Sequence, residues 1–202
     1  MKKVFLAIAM VACSATSFAQ HEVGSINIQP KVGFNATTYD KLENYFDKET
    51  KAGFAAGVEA EYFMTNKFAL SAGVFYSQKG VKVKGKNDFR DVKMTCEVDY
   101  IDVPILANFY VWRGLALKVG LQPAFKVRDK TKMDSLKAAY DRTAFDHAYK
   151  SFDLCLPIGI SYDFGNLSVE LRSSPGLLKA VDHKDYTNVV GQLMVGYKFS
   201  VK

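Results

Sequence analysis

The sequence predicts an all-β protein, an eight-stranded antiparallel up-and-down transmembrane β-barrel with short periplasmic turns and longer extracellular loops. Three observations predict this fold class. Between residues 26 and 201, eight segments alternate apolar and polar residues with a period of two, which is the pattern of strands with one apolar and one polar face. The apolar faces carry no charged residue. Long and short connections between the segments also alternate along the chain, as they do in membrane-spanning barrels.

The amino terminus has the features of a cleavable secretory signal peptide. Two lysines precede a short apolar run, and small residues flank Phe18, a pattern that favours cleavage after Ala19. A lipoprotein acylated at Cys13 is the alternative. The predicted domains are therefore a signal peptide, residues 1–19, and one barrel domain, residues 20–202. No later segment contains the roughly 20 consecutive apolar residues that a membrane-spanning helix requires.

The eight strands follow from the alternation in order. In the first strand, Ile28, Val32 and Phe34 lie on the apolar face, while Lys31 and Asn35 lie on the polar face. The following segments repeat this pattern, so each is predicted to have one face in lipid and one face in the barrel interior. The predicted limits, in chain order, are residues 26–36, 52–63, 68–83, 96–111, 115–128, 152–163, 167–174 and 187–201.

The connections predict the orientation of the barrel. Short turns in barrels of the outer membrane lie in the periplasm, and longer loops lie outside the cell. Both termini are therefore expected in the periplasm, and the protein is expected in the bacterial outer membrane. The short connections are residues 64–67, 112–114 and 164–166, and the long connections are residues 37–51, 84–95, 129–151 and 175–186.

Two features predict local irregularity in the strands. Gly80 shifts the apolar alternation by one residue, which indicates a β-bulge in the third strand. Pro104, Pro123 and Pro157 lie inside predicted strands, where each proline removes one hydrogen bond of the ladder. We therefore expect bulges or a bend at these positions.

The polar face carries nearly equal numbers of acidic and basic residues. The interior of an eight-stranded barrel is just wide enough for side chains to fill, and buried charges are tolerated only when they are paired. The sequence thus predicts a lumen closed by paired charges, without the single-sign lining of an ion-selective pore. Lys79 lies on this face, and Glu59, Asp102, Lys118 and Arg172 are expected to contact one another across the narrow interior. The predicted lumen ion network comprises Lys31, Glu59, Glu61, Asp102, Lys118, Lys126, Arg128, Asp153, Asp163, Glu170, Arg172 and Lys198.

Composition and motifs exclude several function classes. The formal net charge of +6 falls to +4 when Lys2 and Lys3 leave with the signal peptide, and the basic residues form no contiguous patch. No nucleic-acid partner is therefore expected. The chain has no phosphate-binding glycine loop, metal-ligand cysteine spacing or nucleophile elbow, so no cofactor or metal is expected. Cys96 and Cys155 lie on the polar face of non-neighbouring strands, as two small lumen-facing residues or as a disulfide.

The candidates for catalysis lie in or beside the predicted loops. His147 and His183 each follow an aspartate, which can orient a histidine base, and Ser151 or Ser174 is conceivable as a nucleophile. A rim-site enzyme is thus one alternative. Another is a soluble exported lipocalin-like barrel that binds a small apolar ligand, which requires the apolar face inside. The favoured expectation is a non-enzymatic structural, interaction or secretion-associated component of the cell envelope.

Four stretches of the sequence resemble a known family. Residues 100–110, followed after a turn by residues 117–123, are similar to the central signature of PorT-like outer-membrane β-barrel proteins. Residues 31–35 and 196–199 are similar to the two ends of that domain. The resemblance implies the barrel fold and contact with outer-membrane lipid. Association with a secretion system in some members implies other envelope or secretion proteins as partners. It implies no catalytic residue, and the ending at residues 200–202 departs from the family pattern.

Overall fold

The computed structural model describes the barrel strands and the tight turns between them. Its backbone is described over residues 22–39, 46–49, 51–87, 90–133, 151–178 and 188–201. Side chains are described over residues 22–37, 51–80, 97–129, 151–178 and 189–201. The predicted signal peptide, residues 1–19, lies outside these ranges. Within them, no helix is long and apolar enough to cross a membrane.

The described residues form twelve strands in one antiparallel sheet. Period-two alternation and the abundance of β-branched and aromatic residues favour the extended conformation throughout. The strands are β1 (Ile26–Tyr39), β2 (Phe46–Glu49), β3 (Lys51–Thr65), β4 (Phe68–Asn87), β5 (Arg90–Asp102), β6 (Ile105–Trp112), β7 (Leu115–Met133), β8 (Phe152–Cys155), β9 (Ile158–Phe164), β10 (Leu167–Pro175), β11 (Asn188–Tyr197) and β12 (Phe199–Val201).

Eight crossings of the barrel wall account for these strands. Three crossings consist of two strands each, β5 with β6, β8 with β9, and β11 with β12, and the short β2 pairs only with β4 in the described residues. Neighbours in the sheet follow chain order, and β1 pairs with β3 on one side and with β11 and β12 on the other. The ring is therefore closed, and the predicted eight-stranded antiparallel barrel is confirmed.

The two faces of the sheet differ in polarity. On β7, Leu117, Val119 and Leu121 are exposed on the outer surface, while Lys118 and Gln122 are buried in the interior. The exposed large hydrophobic side chains of the other crossings lie on the same outer surface, as lipid contact requires. A lipocalin-like barrel needs the reverse arrangement, so the structure does not favour that alternative.

Two of the three prolines interrupt their strands. Pro104 separates β5 from β6 and Pro157 separates β8 from β9, whereas Pro123 lies within an unbroken β7. Their carbonyl oxygens still accept cross-strand hydrogen bonds, for example from the Gly73 amide to the Pro104 carbonyl at 3.0 Å. The bulge predicted at Gly80 is absent from the β4–β5 pair. The φ of Gly80 is +131°, but the register continues through it without a shift.

The strands also extend farther than predicted at the end of the barrel that carries the long connections. The predicted loop over residues 84–95 is mostly strand, because β4 continues to Asn87 and β5 begins at Arg90. Likewise, β1 continues to Tyr39 and β7 continues to Met133. The prediction required an apolar face, but strands that pair beyond a bilayer are bathed by water on both sides. We call the end of the barrel that carries the long connections the loop end. The opposite end, which carries the tight turns, is the turn end.

Candidate functional site: the charged barrel interior

Charged side chains fill the middle of the barrel because alternate strand positions point inward and small residues make room for them. Lys31 lies on β1 opposite Gly196 of β11 and Gly57 of β3. A Cβ atom at Gly196 would lie 2.6 Å from Cγ of Lys31, so a larger residue at that position would collide with the lysine stem. Glycine at this close approach lets a long cation lie across the narrow lumen.

A central cluster joins four crossings of the barrel. We define it as Lys31, Lys118, Arg172, Glu59 and Glu170, from β1, β7, β10 and β3, with every side chain at most 2% exposed. The Lys31 ammonium lies 2.7 Å from Glu59 and 2.8 Å from Glu170. The Lys118 ammonium lies 3.1 Å from each of the same carboxylates. Three cations thus share two carboxylates, and the cluster carries one net positive charge.

Arg172 completes the central cluster through its planar guanidinium. Its Nε donates to Oε1 of Glu170 at 2.6 Å, and its Nη2 donates to Oε2 of Glu59 at 3.2 Å. Nη2 also pairs with Glu170. Each carboxylate therefore accepts on both oxygens, which is how a buried ion group offsets the cost of leaving water. The ion pairs of the central cluster thus cross the lumen and connect four crossings of the barrel wall.

A second cluster closes the turn end around one carboxylate. Glu61 accepts hydrogen bonds from four side chains that come from three crossings of the barrel, at distances between 2.7 and 3.0 Å. The Lys198 ammonium also donates to Asp163 at 2.6 Å. One cation and two carboxylates give this cluster one net negative charge, which balances the central cluster. The turn-end cluster comprises Gln29, Glu61, Asn108, Tyr110, Asp163 and Lys198.

Apolar side chains seal the same end of the lumen. Phe63, Ala69, Tyr110 and Ala116 form a buried hydrophobic cluster. The rings of Phe63 and Tyr110 lie 5.3 Å apart between centroids. Since Tyr110 donates its hydroxyl to Glu61 at 2.8 Å, one residue joins the apolar seal to the charged cluster.

A third cluster lies nearer the loop end. We define it as Lys79, Tyr100, Asp102, Asp153 and Cys155. The Lys79 ammonium lies 2.7 Å from Oδ1 of Asp102 and 4.9 Å from the centroid of the Tyr100 ring. Asp153 accepts a hydrogen bond from the Cys155 thiol at 3.6 Å. Oδ2 of Asp102 and Oδ1 of Asp153 are buried without a hydrogen-bond partner.

The structure brings together most of the residues that parity assigns to the interior. Of the cross-lumen contacts expected from the parity assignment, Glu59 meets both Lys118 and Arg172, but Asp102 pairs with Lys79 instead. Asp153 lies in the interior, beside Cys155. The predicted residues found in the three clusters are Lys31, Glu59, Glu61, Asp102, Lys118, Asp153, Asp163, Glu170, Arg172 and Lys198.

Lys126 and Arg128 lie elsewhere. Lys126 pairs with Asp129 at 2.8 Å near the loop end. The placement of Arg128 in the lumen is wrong, because β7 contains a bulge between the partners of Asp99 and Tyr100. That extra residue, Val127, turns Arg128 to the outer face, opposite Asp99 and exposed.

Neutral donors are the part of the interior that the charge-based analysis missed. Gln29 and Asn108 donate to Glu61 at 2.9 and 2.7 Å, and the Tyr110 hydroxyl donates to the same carboxylate. All three lie on the inward parity of their strands, so the signal was present in the sequence. Amide and hydroxyl side chains carry no charge, so a search for paired charges does not find them.

The candidate rim and redox residues do not form a site in the described part of the chain. His147 and His183 lie outside the described residues, as does the side chain of Cys96. Ser174 is buried on the inner face, and Cys155 is a free buried thiol. Among the described residues, no group of three or more His, Cys, Asp and Glu side chains could hold a metal ion.

Comparison with known proteins supports the same architecture. The family model described as "Outer membrane protein beta-barrel domain" matches residues 18–182. No curated protein matches the sequence significantly.

Several solved structures are similar over most of the chain. Ail, the attachment invasion locus protein of Yersinia pestis, is 12% identical, with 88% of this chain and 100% of that chain covered and a TM-score of 0.49. OprG from Pseudomonas aeruginosa is 14% identical, with 89% and 97% covered and a TM-score of 0.47. Neisserial surface protein A is 16% identical, with 86% and 97% covered and a TM-score of 0.45. These low identities transfer no function.

Proposed function

Because the chain belongs to the outer membrane protein β-barrel domain family, we propose that it is a non-enzymatic barrel of the bacterial outer membrane with a closed lumen. Its role is that of a structural, interaction or secretion-associated component of the envelope. The observation that carries this proposal is the central cluster, in which five buried charged groups from four strands pair across the lumen.

The balance of charge in the interior supports a closed lumen over a conducting one. The central cluster carries one net positive charge and the turn-end cluster one net negative charge, so the two together are neutral. An ion pathway needs sites that bind an ion weakly enough to release it. Here the interior charges are held at 2.6 to 3.2 Å by partners from the same chain.

The finer assignment concerns partners and orientation. The resemblance of residues 100–110 and 117–123 to PorT-like proteins supports an association with other envelope or secretion proteins, in addition to outer-membrane lipid. Both termini lie in the periplasm in this proposal, because the tight turns lie at the same end of the barrel as residues 26 and 201. The loops at the other end then face the cell exterior.

Planar-bilayer recording tests the closed lumen. Purified barrel should insert without producing steady conductance, because the ion pairs of the central cluster cross the lumen. Removing the apolar seal in Phe63→Ala should leave the membrane electrically silent, since the paired charges remain. Reproducible ion-selective single-channel steps from the wild-type protein would show that it is a small pore.

Fractionation tests the compartment. The protein should sediment with the outer membrane and resist carbonate extraction, because its outer surface is apolar around the whole ring. Protease added to intact cells should cut the loops while a tag after residue 202 stays protected. Recovery in the soluble periplasmic fraction contradicts the proposal, and cleavage of the tag contradicts the orientation.

A further inference from the structure

Asp153 differs from the other acidic side chains of the three clusters. Glu59, Glu61, Asp163 and Glu170 each lie within salt-bridge distance of at least one cation, as does Asp102. Within the described part of the chain, no ammonium or guanidinium group lies within 4.0 Å of Asp153. Among the described side chains, only the weakly donating thiol of Cys155 donates a hydrogen bond to Asp153.

The nearby cations are already engaged. The Lys79 ammonium lies on Oδ1 of Asp102, and the Lys51 ammonium donates to the backbone carbonyl of Lys79 at 2.9 Å. The guanidinium of Arg172 is held by Glu59 and Glu170 in the central cluster. The pair of Lys79 with Asp102 is neutral, which leaves Asp153 as the one carboxylate of the three clusters that has no described cation within salt-bridge distance.

Three buried oxygens that can only accept hydrogen bonds lie on adjoining strands around this charge. Ala124 of β7 pairs with Asp102 on one side and with Asp153 on the other, so the two carboxylates flank it at one level. Gln122 lies two residues along the same inner face, 1% exposed, and pairs in register with Cys155. Oδ2 of Asp102, Oδ1 of Asp153 and Oε1 of Gln122 have no partner.

We propose that these three oxygens form a binding site for a small monovalent cation that enters the lumen from the loop end. Carboxylate and amide oxygens are the ligands that hard cations prefer. A single positive charge neutralises Asp153, whereas a divalent ion would leave an excess charge in a low-dielectric space beside Lys79. The apolar seal at the turn end makes the site blind, so the ion enters and leaves by the same opening.

The site is distinct from the proposed envelope role, because it rests on the geometry of the interior and on no partner protein. A closed lumen without a cation site would leave the proposed function intact. A cation site without a secretion partner would likewise stand by itself.

The test compares cations in an unfolding experiment on the mature chain in uncharged detergent micelles. Fluorescence of the single tryptophan, Trp112, reports unfolding in urea, with NaCl or KCl replaced by choline chloride at equal ionic strength. Na⁺ or K⁺ should raise the urea midpoint, while choline is too large for the site. At a cation concentration ten times the dissociation constant, the folding equilibrium constant should rise about tenfold.

Two variants and one matched control identify the site. Asp153→Asn should abolish the difference between Na⁺ or K⁺ and choline, and Gln122→Leu should reduce it. Asp163→Asn makes the same chemical change at the turn end, so it should lower stability but keep the response to the cation.

Two results overturn the proposal. Equal midpoints for wild type in all the salts mean that water or a proton alone satisfies Asp153. A cation response that persists in both Asp153→Asn and Gln122→Leu places the ion elsewhere.

Discussion

The two ends of the barrel interior use the same residue types to different effect. At the turn end, Glu61 receives four side-chain hydrogen bonds and lies against the apolar seal. At the loop end, the Lys79 ammonium binds Asp102, whereas among the described side chains only the thiol of Cys155 donates to Asp153. The difference arises from neutral donors, since Gln29 and Asn108 surround Glu61. Closure of a charged lumen therefore depends on amide and hydroxyl donors as much as on the balance of charge.

The largest expected effect is at the turn end. Glu61→Gln removes the carboxylate that pairs with Lys198. It also places an amide NH₂ group among the side chains of Gln29, Asn108 and Tyr110, which donate hydrogen bonds to Glu61. The free energy of unfolding should fall by about 3–5 kcal/mol, the range for breaking a buried ion pair. Asp153→Asn in choline chloride, measured by urea unfolding in micelles, should change it by less than about 1 kcal/mol, because no cation of the chain loses a partner. Equal losses in the two variants would remove the contrast between the ends.

The contrast also requires that the faces of the sheet are assigned correctly. Val119 lies on the outer surface of β7, next to Lys118 of the central cluster. Val119→Arg should destabilise the barrel by about 2–4 kcal/mol in a bilayer, because a charge near the midplane loses its water. Val119→Leu is the control and should be silent. The comparison is made by reversible unfolding in lipid vesicles, and an unaffected arginine variant would contradict the face assignment.

Two alanine-to-serine substitutions, with smaller expected effects, test whether the loop end lacks hydrogen-bond donors. Ala116 lies in the apolar seal and Ala124 lies between Asp102 and Asp153, both fully buried. Ala116→Ser buries a hydroxyl among apolar groups and should cost about 1–3 kcal/mol. Ala124→Ser places a donor beside acceptors that have none, so it should be neutral or stabilise by about 1 kcal/mol. The thermal midpoint in detergent distinguishes them, and a reversed order would contradict the donor deficit at the loop end.

The smallest expected effect is at Arg128. Because the bulge turns this residue outward near the end of β7, Arg128→Gln should change the free energy of unfolding by less than about 1 kcal/mol. If Arg128 instead pointed inward, as strict alternation requires, the loss would match that of a buried cation. Urea unfolding of the variant beside Lys118→Met, a cation of the central cluster, decides between these positions.

Much of this architecture could be predicted from the sequence, because the period of two reports which face a residue occupies. The alternation placed Lys31, Glu59 and Glu170 in the interior, and the structure joins them by ion pairs. It failed at Arg128, since one extra residue in β7 reverses the faces and depends on pairing with a distant strand. It also predicted a bulge at Gly80, where the register of β4 with β5 is continuous.

The choice of partners within the interior could not be predicted. The alternation identifies which residues share a face but not their height along a barrel whose strands are tilted. For this reason Asp102, which was expected to contact Lys118, forms its ion pair with Lys79 instead. The ends of the strands were also underestimated, because polar pairs such as Lys86 with Asp91 carry no apolar signal.

Ring closure gives the chain an order of assembly. β1 pairs with β11 and β12, so residues near positions 26 and 201 become neighbours only when the last crossing is in place. Until then two strand edges stay open, and open edges invite pairing with other chains. A chain cut before β11 loses the partner of β10 as well as the partner of β1, so both of these strand edges stay unpaired. The complete barrel therefore differs from an incomplete chain by the absence of unpaired strand edges. A chaperone or protease that binds such edges can distinguish the two without recognising any particular sequence.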